Sequence, residues 1–141
     1  MFHLIYTSRA RQDFGAADLK KLLTHSRSNN DSANVTGMLV YHDEAFLQVL
    51  EGDESAVRKI FHRIEKDPRH AGLAILRGQK SFGERRIFGE WSMGFANASN
   101  NAQVLKGFVD LELGQDLLTL SETPAMELLS ACSRIPRCRA A

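Results

Sequence analysis

Cysteine, proline and long apolar runs are all scarce in this chain, which has two cysteines and three prolines among 141 residues. Because Cys132 and Cys138 are too few for a disulfide framework, we expect a reducing, cytoplasmic setting. No apolar stretch approaches the roughly 20 residues that are needed to span a bilayer. Residues 1–10 alternate like a strand and contain no separate apolar segment of a signal peptide, so a membrane protein or a secreted protein is not expected.

The chain also lacks an excess of one charge, because it contains 18 Lys and Arg residues and 17 Asp and Glu residues. Such a balanced chain has no strong field to attract nucleic acid or an anionic membrane, so we expect no direct partner of either kind. The length suits one domain with a single sizeable core.

Hydrophobic periodicity predicts five strands and two helices up to about residue 96. Period-two alternation indicates the strands, and spacings of three and four residues indicate the helices. The predicted strands are 2–8, 35–41, 46–51, 73–79 and 90–96, and the predicted helices are 16–27 and one that Asp53 caps and that ends near Lys66. The order βαββαββ predicts an α+β, ferredoxin-like sandwich with both helices over one sheet face.

Turn-forming residues set two of the predicted boundaries. The run SNNDSAN at 28–34 is expected to end the first helix. Residues 42–45 are expected to form a four-residue loop between the second and third strands, which makes these two strands an antiparallel hairpin.

The third strand, FLQVLE, is apolar on both alternating faces, so both faces of the sheet should be covered. Two helices on one face leave the other bare. The C-terminal segment offers a short apolar stripe within 103–111 and a better helix from Thr123, with Pro124 in its first turn. We predict a core at 1–96 and a helical cap on the second face at 97–141, in one compact domain without a separate effector. An exposed interaction surface is the alternative for that face.

Two polar side chains on the predicted central strands stand out. Gln48 interrupts the apolar run FLQVL, and a buried amide without hydrogen-bond partners costs a few kcal/mol. In a sandwich of this order the first and third strands are neighbours, so Tyr6 and Gln48 can meet. A flat ligand between the helices would suit both, with Leu22 and Ile64 against its faces. The amides of Asn29 and Asn30 could serve its polar edge.

Each of these residues also has an ordinary structural explanation. A tyrosine on a central strand is most often packed core, and paired asparagines most often belong to turns. Arg63 and Asp67, four residues apart, could form a surface ion pair worth a few tenths of a kcal/mol. Their conjunction, rather than any single residue, favours a binding site.

Other classes of protein fit the sequence less well. An acylphosphatase-like hydrolase would share the fold but needs a glycine-rich anion loop, which SRARQDFG lacks. An RNA-binding module would need aromatic residues on its central strands, where leucine and valine dominate here. The five histidines and two cysteines show no metal-ligand spacing, so no metal is expected. An interaction module of the same fold remains a further alternative.

Several strings in this sequence resemble the BLUF family, whose members sense blue light with a flavin. These strings are LIYTSRA, SRSNNDSANVTGMLVY, FLQVLEG, FHRIEKDPRH and WSMGF. They cover residues 2 to about 96 in the family's order and spacing. The remainder resembles the short, single-domain type of BLUF protein, which carries a pair of C-terminal helices.

The resemblance implies a role for each matching residue. Tyr6 would donate an electron to the excited flavin, and Gln48 would bridge Tyr6 and the flavin N5 and O4 edge. Asn30 would hold the pyrimidine edge and Asn29 would assist. The other implied flavin contacts are Leu22 and Ile64 on the ring, Arg63 and Asp67 at or after the second helix, and Arg69 and His70 toward the ribityl and phosphate side. Trp91 and Met93 would relay the change outward along the last strand.

The resemblance further implies a photoreceptor that turns over no substrate and is therefore not an enzyme. Its cofactor would be FAD, with FMN possible. Light would rearrange the hydrogen bonds of Gln48, and the change would pass through the last strand and the C-terminal helices. The output would be a downstream protein partner or an altered homo-oligomer.

Overall fold

A computed structural model describes residues 1–11, 15–42, 44–80, 86–88, 94–97, 117–119 and 121–133. Five strands, three α-helices and one 3-10 turn lie within these ranges. The strands are β1 (Phe2–Ala10), β2 (Thr36–His42), β3 (Ala45–Gly52), β4 (His70–Lys80) and β5 (Gly94–Asn97). The helices are α1 (Ala16–Ser32), α2 (Glu54–Glu65) and α3 (Glu122–Ser133), and the 3-10 turn is Leu117–Thr119. The predicted order βαββαββ is confirmed.

All five strands form one sheet in the order β4-β1-β3-β2-β5. The strands β1, β2, β3 and β4 pair antiparallel with their neighbours, whereas β5 runs parallel to β2. As expected, β1 and β3 are central neighbours, and Tyr6 lies directly opposite Gln48 in their register. One cross-strand row therefore contains Ile75, Tyr6, Gln48, Leu39 and Phe95.

Each face of the sheet carries its own apolar core, because side chains alternate along the strands. On the first face α1 and α2 pack over the sheet, and the buried residues there include Leu4, Leu23, Leu50 and Phe61. On the second face α3 contributes Ala125, Leu128 and Leu129 to a cluster with strand residues such as Leu47 and Val49. The predicted two-layer covering of β3 is thus confirmed, with a C-terminal helix on the second face.

The end of α1 differs from its prediction. The helix continues to Ser32, so Asn29 and Asn30 lie in its last turns rather than in a turn beyond it. Asn30 is buried, and its backbone carbonyl oxygen accepts hydrogen bonds from the Ala33 and Val35 N–H groups. This tertiary packing outweighs the weak helix propensity of Ser and Asn.

The hairpin loop is also tighter than predicted. His42 pairs with Ala45, so two residues rather than four connect β2 and β3. Glu44 in this connection has a φ of 60°, a left-handed conformation that is typical of two-residue hairpin turns. The start of α2 agrees with its prediction, since Asp53 is its N-cap residue.

Three predictions fall where the structure gives no description. Trp91, Met93 and the apolar stripe within 103–111 lie outside the described residues. The division of the chain into 1–96 and 97–141 therefore stays a prediction. Within the described ranges, no helix is long and apolar enough to cross a membrane.

Candidate functional site

Two adjoining hollows lie between α1 and α2 over the centre of the sheet. Six residues line both of them, so together they form one continuous groove. These shared residues are Leu22, Ser26, Gln48, Ile64, Asp67 and Arg69. The first hollow lies nearest Tyr6 and His70, and the second extends toward the end of α1.

The groove brings together every residue that the sequence nominated for flavin binding. Tyr6 and His70 line the first hollow, and Asn29, Asn30 and Arg63 line the second. The other five nominated residues, Leu22, Gln48, Ile64, Asp67 and Arg69, line both. Their convergence is a finding of the structure, whereas their contacts with flavin stay a prediction.

At the floor of the groove, Tyr6 and Gln48 form a direct hydrogen bond. The Tyr6 hydroxyl donates to the Gln48 side-chain oxygen, and both side chains are buried, with 3% of each residue exposed. The cross-strand register explains the contact, because directly opposed residues bring their Cβ atoms within about 5.5 Å. The oxygen of the Gln48 amide is the acceptor in this bond, and the NH₂ group of the same amide is its donor end.

The surroundings of Tyr6 keep its phenol protonated. Burial raises its pKa, and the negative charge of Asp67 raises it further. The ring of Phe61 meets the Tyr6 ring edge-on, with centroids 5.3 Å apart. The proton on Tyr6 is therefore held in an apolar setting, in the bond to Gln48.

His70 closes the groove beside Tyr6. Its Nε2 atom donates to the Ile64 carbonyl oxygen at 2.6 Å, and its Nδ1 atom lies 2.8 Å from the Ser8 hydroxyl oxygen. Its ring centroid is 6.4 Å from that of Tyr6. His70 thereby connects the end of α2 to β1, and it holds Ile64 in place at the groove.

Asp67 and Arg69 form a tight ion pair just beyond α2. The Arg69 guanidinium donates to both Asp67 carboxylate oxygens, at 2.6 Å from Nη2 and 3.0 Å from Nε. The Arg69 backbone N–H adds a fourth hydrogen bond, to Asp67 Oδ1 at 2.9 Å. Burial alone would raise the pKa of Asp67, but these hydrogen bonds and the charges of Arg69 and His70 lower it overall. A fixed negative charge and a fixed positive charge therefore line the groove together.

The two asparagines of α1 differ in their surroundings. Asn30 is 1% exposed, whereas Asn29 is exposed at the outer end of the groove. Leu22 and Ile64, from α1 and α2 respectively, are half-buried and supply apolar surface to both hollows. The groove thus has apolar sides, a polar floor and a buried amide at one end.

Sequence reasoning missed several residues that line the groove. Ser26, Leu39 and Phe46 were read only as parts of a helix or a strand, and His25 and Ile60 were likewise not nominated. The alternation of β3 could have identified Phe46, because it shares a face with Gln48. Among the described residues no cluster of acidic, histidine or cysteine side chains could hold a metal ion.

Comparison with known proteins agrees with the family resemblance of the sequence motifs. The family described as sensors of blue light using FAD, abbreviated BLUF, matches residues 1–94. The blue light- and temperature-regulated antirepressor BluF of Escherichia coli (strain K12) is 34% identical over 73 residues, which are 52% of this chain and 18% of that protein. The photoactivated adenylate cyclase subunit beta of Euglena longa is 28% identical over 119 residues, which are 77% of this chain and 14% of that protein. The chain thus spans only a small part of the length of either relative.

A solved structure resembles the whole fold. The photo-activated state of BlsA matches with a TM-score of 0.81 and 26% sequence identity, over 95% of this chain and 95% of that one. The likeness extends past the sheet and its two helices into the C-terminal part of the chain.

Proposed function

Because this chain belongs to the BLUF family of blue-light sensors that use FAD, we propose that the groove over β1 and β3 is its flavin site and that Tyr6 and Gln48 form its photoactive pair. The observation that carries this proposal is their buried hydrogen bond at the floor of the groove.

The residues around the groove fit a flavin ring. A planar, largely apolar ring system needs apolar surface against its faces, which Leu22 and Ile64 offer from opposite helices. Its carbonyl and nitrogen edge needs donors and acceptors, and the side-chain amides of Gln48, Asn29 and Asn30 supply both. Arg63 and Arg69 provide positive charge suited to a ribityl phosphate. These residue types also suit FMN, since it shares the ring and the ribityl phosphate.

Bound flavin supplies the absorption of blue light and an excited state that accepts an electron. The chain supplies a donor, because the phenol of Tyr6 is protonated and can release an electron and a proton together. That proton lies in the hydrogen bond to Gln48, so its departure removes the bond that fixes the orientation of the amide.

Gln48 then acts as the switch. A side-chain amide presents a donor at one end and an acceptor at the other, so its rotation or tautomerisation reverses the hydrogen-bond pattern without a change in net charge. After electron and proton return, the reversed pattern persists until it relaxes in darkness. We propose that the chain is therefore a sensor and not an enzyme.

We further propose that the output leaves through the last strand and the C-terminal helices. The chain would divide into a core at 1–96 and a cap at 97–141, with Trp91 and Met93 as relay residues. Support comes from α3, which packs on the sheet face opposite the groove. The relatives named above are an antirepressor and a cyclase subunit, so a protein contact or a change in homo-oligomer is the output that we infer. A cytoplasmic location, without direct contact to membrane or nucleic acid, completes the proposal.

The decisive experiment is an absorption spectrum of the purified protein in darkness, after blue light, and again after a dark interval. We expect flavin bands that move to longer wavelength in light and return in darkness. A bound flavin that shows no reversible shift would refute the switch that we assign to Tyr6 and Gln48. A colourless protein that also takes up no added flavin would favour a light-insensitive interaction module or an acylphosphatase-like hydrolase.

A further inference from the structure

A second buried polar cluster lies on the opposite face of the same central strands, around Glu51. This glutamate is 0% exposed. One of its carboxylate oxygens is 2.9 Å from both His3 Nε2 and the Ile87 backbone nitrogen. The other accepts from the Thr36 hydroxyl at 2.8 Å and from the Phe88 backbone N–H at 2.6 Å. Four groups therefore converge on one carboxylate.

Strand register explains two of these four contacts. Glu51 lies opposite His3 on β1 and opposite Thr36 on β2. Its position on β3 is three residues beyond Gln48, and an odd separation places the two side chains on opposite faces of the sheet. Gln48 thus faces the groove, whereas Glu51 lies on the face that α3 covers.

The charge of Glu51 determines the direction of these bonds. Burial alone would raise its pKa, but the hydrogen bonds from His3, Ile87, Thr36 and Phe88 outweigh burial and lower it overall. An ionised carboxylate only accepts hydrogen bonds, so His3 Nε2 is the donor in their contact.

The other two contacts tie a distant segment, residues 86–88, to β3. Arg86 strengthens this attachment, because its guanidinium donates to the Glu51 carbonyl oxygen at 3.2 Å and to the Asn34 carbonyl oxygen at 2.7 Å. It also donates to the Thr36 hydroxyl at 2.9 Å. Phe88 is buried in the same core as Leu47 of β3.

This segment precedes β5 in the chain, and β5 is linked to the photoactive row. Leu39 of β2 pairs with Gln48 on one side and with Phe95 of β5 on the other. The stretch that leads into β5 is therefore bonded to β3 at Glu51, while β5 itself shares a cross-strand row with Gln48. A displacement of β3 at Gln48 moves the carboxylate that holds the Ile87 and Phe88 N–H groups.

We propose that Glu51 is a positioning residue that couples the Gln48 switch to the segment 86–88 and to β5 on the output side. This inference rests on the proposed function, because it takes the light-driven change at Gln48 as its starting point. Two backbone N–H groups held by one ionised acceptor respond together when that acceptor moves. A transmitted signal requires two discrete arrangements, which here would be the bonded and the released state of these two N–H groups.

The test compares two observables in the flavin-loaded protein, in darkness and under blue light. The flavin absorption shift reports the switch at Gln48, and hydrogen exchange of the Ile87 and Phe88 amide protons, followed by NMR, reports the coupling. In the unmodified protein we expect light to change these two exchange rates by about tenfold, since each amide proton loses or gains a bond to a charged acceptor. A normal absorption shift with unchanged exchange would overturn the coupling and leave the switch intact.

The variant Glu51→Gln separates transmission from sensing. Glutamine keeps the shape but has one acceptor oxygen instead of two, so it cannot hold both backbone N–H groups as the carboxylate does. We expect the absorption shift to persist while the light-dependent change in exchange is lost. The control is Glu54→Gln, the same chemical change at a residue that pairs with Arg58 on the surface of α2, and it should behave like the unmodified protein.

Two results with this variant would count against the proposal. A Glu51→Gln variant whose exchange still responds to light would show that the carboxylate is dispensable. Loss of the absorption shift in that variant would place Glu51 in sensing rather than in transmission. If the variant does not fold, the light-dependent exchange of the unmodified protein decides alone, and no absorption shift there would refute the proposed function itself.

Discussion

The strands β1 and β3 carry two buried polar pairs, three residues apart and on opposite faces of the sheet. Tyr6 with Gln48 is a pair of neutral groups next to a groove. His3 with Glu51 includes an ionised carboxylate that accepts from four groups. The same backbone ladder therefore holds a neutral pair on the groove side and, on the other side, an ionised group that accepts hydrogen bonds from several directions.

The difference indicates that the two pairs have different functions. A neutral amide can reverse its hydrogen bonds at little electrostatic cost, because no charge moves into or out of the apolar interior. A buried carboxylate has no donor end, so it cannot reverse its pattern in this way, and the release of a donor from it costs more than at a neutral amide. The first pair is suited to switching and the second to holding the segment 86–88 against β3.

The largest effect is expected from a variant that removes the hydrogen bonds of Gln48. In Gln48→Leu we expect flavin to remain bound and the light-induced absorption shift to disappear completely, because leucine has similar bulk but no hydrogen bonds. Dark and illuminated absorption spectra measure this. The control is Leu50→Met, a change of conserved volume on the same face of β3, which should keep the shift. A normal shift in Gln48→Leu would end the distinction between the two pairs.

The next effect concerns stability at the other pair. Replacing Glu51 by Leu leaves His3, Thr36 and two backbone N–H groups without their buried acceptor, so we expect about 3–5 kcal/mol less free energy of unfolding. Urea denaturation measures the change. Glu54→Leu removes an ion pair with exposed side chains and should cost under about 1 kcal/mol. Equal costs in the two variants would mean that the Glu51 cluster does not anchor the fold.

A smaller effect is expected from a variant that removes the proposed electron donor, Tyr6, and leaves Gln48 in place. In Tyr6→Phe we expect a longer excited-state lifetime of the flavin, because the proximal electron donor is gone, together with about 1–2 kcal/mol of lost stability from the loss of the buried hydrogen bond to Gln48. Time-resolved fluorescence and urea denaturation measure the two effects. An unchanged lifetime would assign electron donation to another residue, with Trp91 as the first to examine.

Most of the fold could be predicted from the sequence, because apolar alternation and helical spacing are strong in the first 80 residues. The order of elements and the meeting of Tyr6 with Gln48 follow from the periodicity of β1 and β3 and from their place in this topology. The groove residues could be nominated because they lie in motifs that resemble one family. Their common location was an expectation of that resemblance, and in the structure they line one groove.

The sequence-based predictions were wrong where tertiary contacts determine the local structure. Turn-forming residues predicted an early end for α1, but the burial of Asn30 extends the helix to Ser32. The hairpin loop was predicted too long because Glu44 gives no glycine signal for its left-handed conformation. Glu51 was missed although it ends the same apolar run as Gln48. Its partners at residues 86–88 are distant in sequence, and no local pattern reveals them.

The smallest expected effect is that of low pH, which should destabilise the protein through Glu51 and not through the Tyr6–Gln48 pair. The folded-state pKa of Glu51 lies below its usual value of 4.5, so the unfolded chain binds more protons as the pH falls below that value. The stability that Glu51 contributes is complete above that pH and is lost as the pH falls through its folded-state pKa. Tyr6 and Gln48 carry no group that titrates there. We expect the free energy of unfolding, measured with urea at about pH 6 and about pH 3.5, to fall less in Glu51→Gln than in the unmodified protein.

A second carboxylate must be separated from this effect. The pKa of Asp67 is also lowered, through Arg69 and His70, and it lies at the groove rather than in the Glu51 cluster. In Asp67→Asn part of the acid sensitivity should disappear as well, and the double variant with Glu51→Gln should show the sum, because the two sites share no hydrogen-bond partner. An acid response that only Asp67→Asn reduces would mean that His3, Thr36 and the 86–88 segment hold Glu51 no more tightly than water does. In that case the anchor on the second face would have to be the apolar packing of Phe88 rather than the carboxylate.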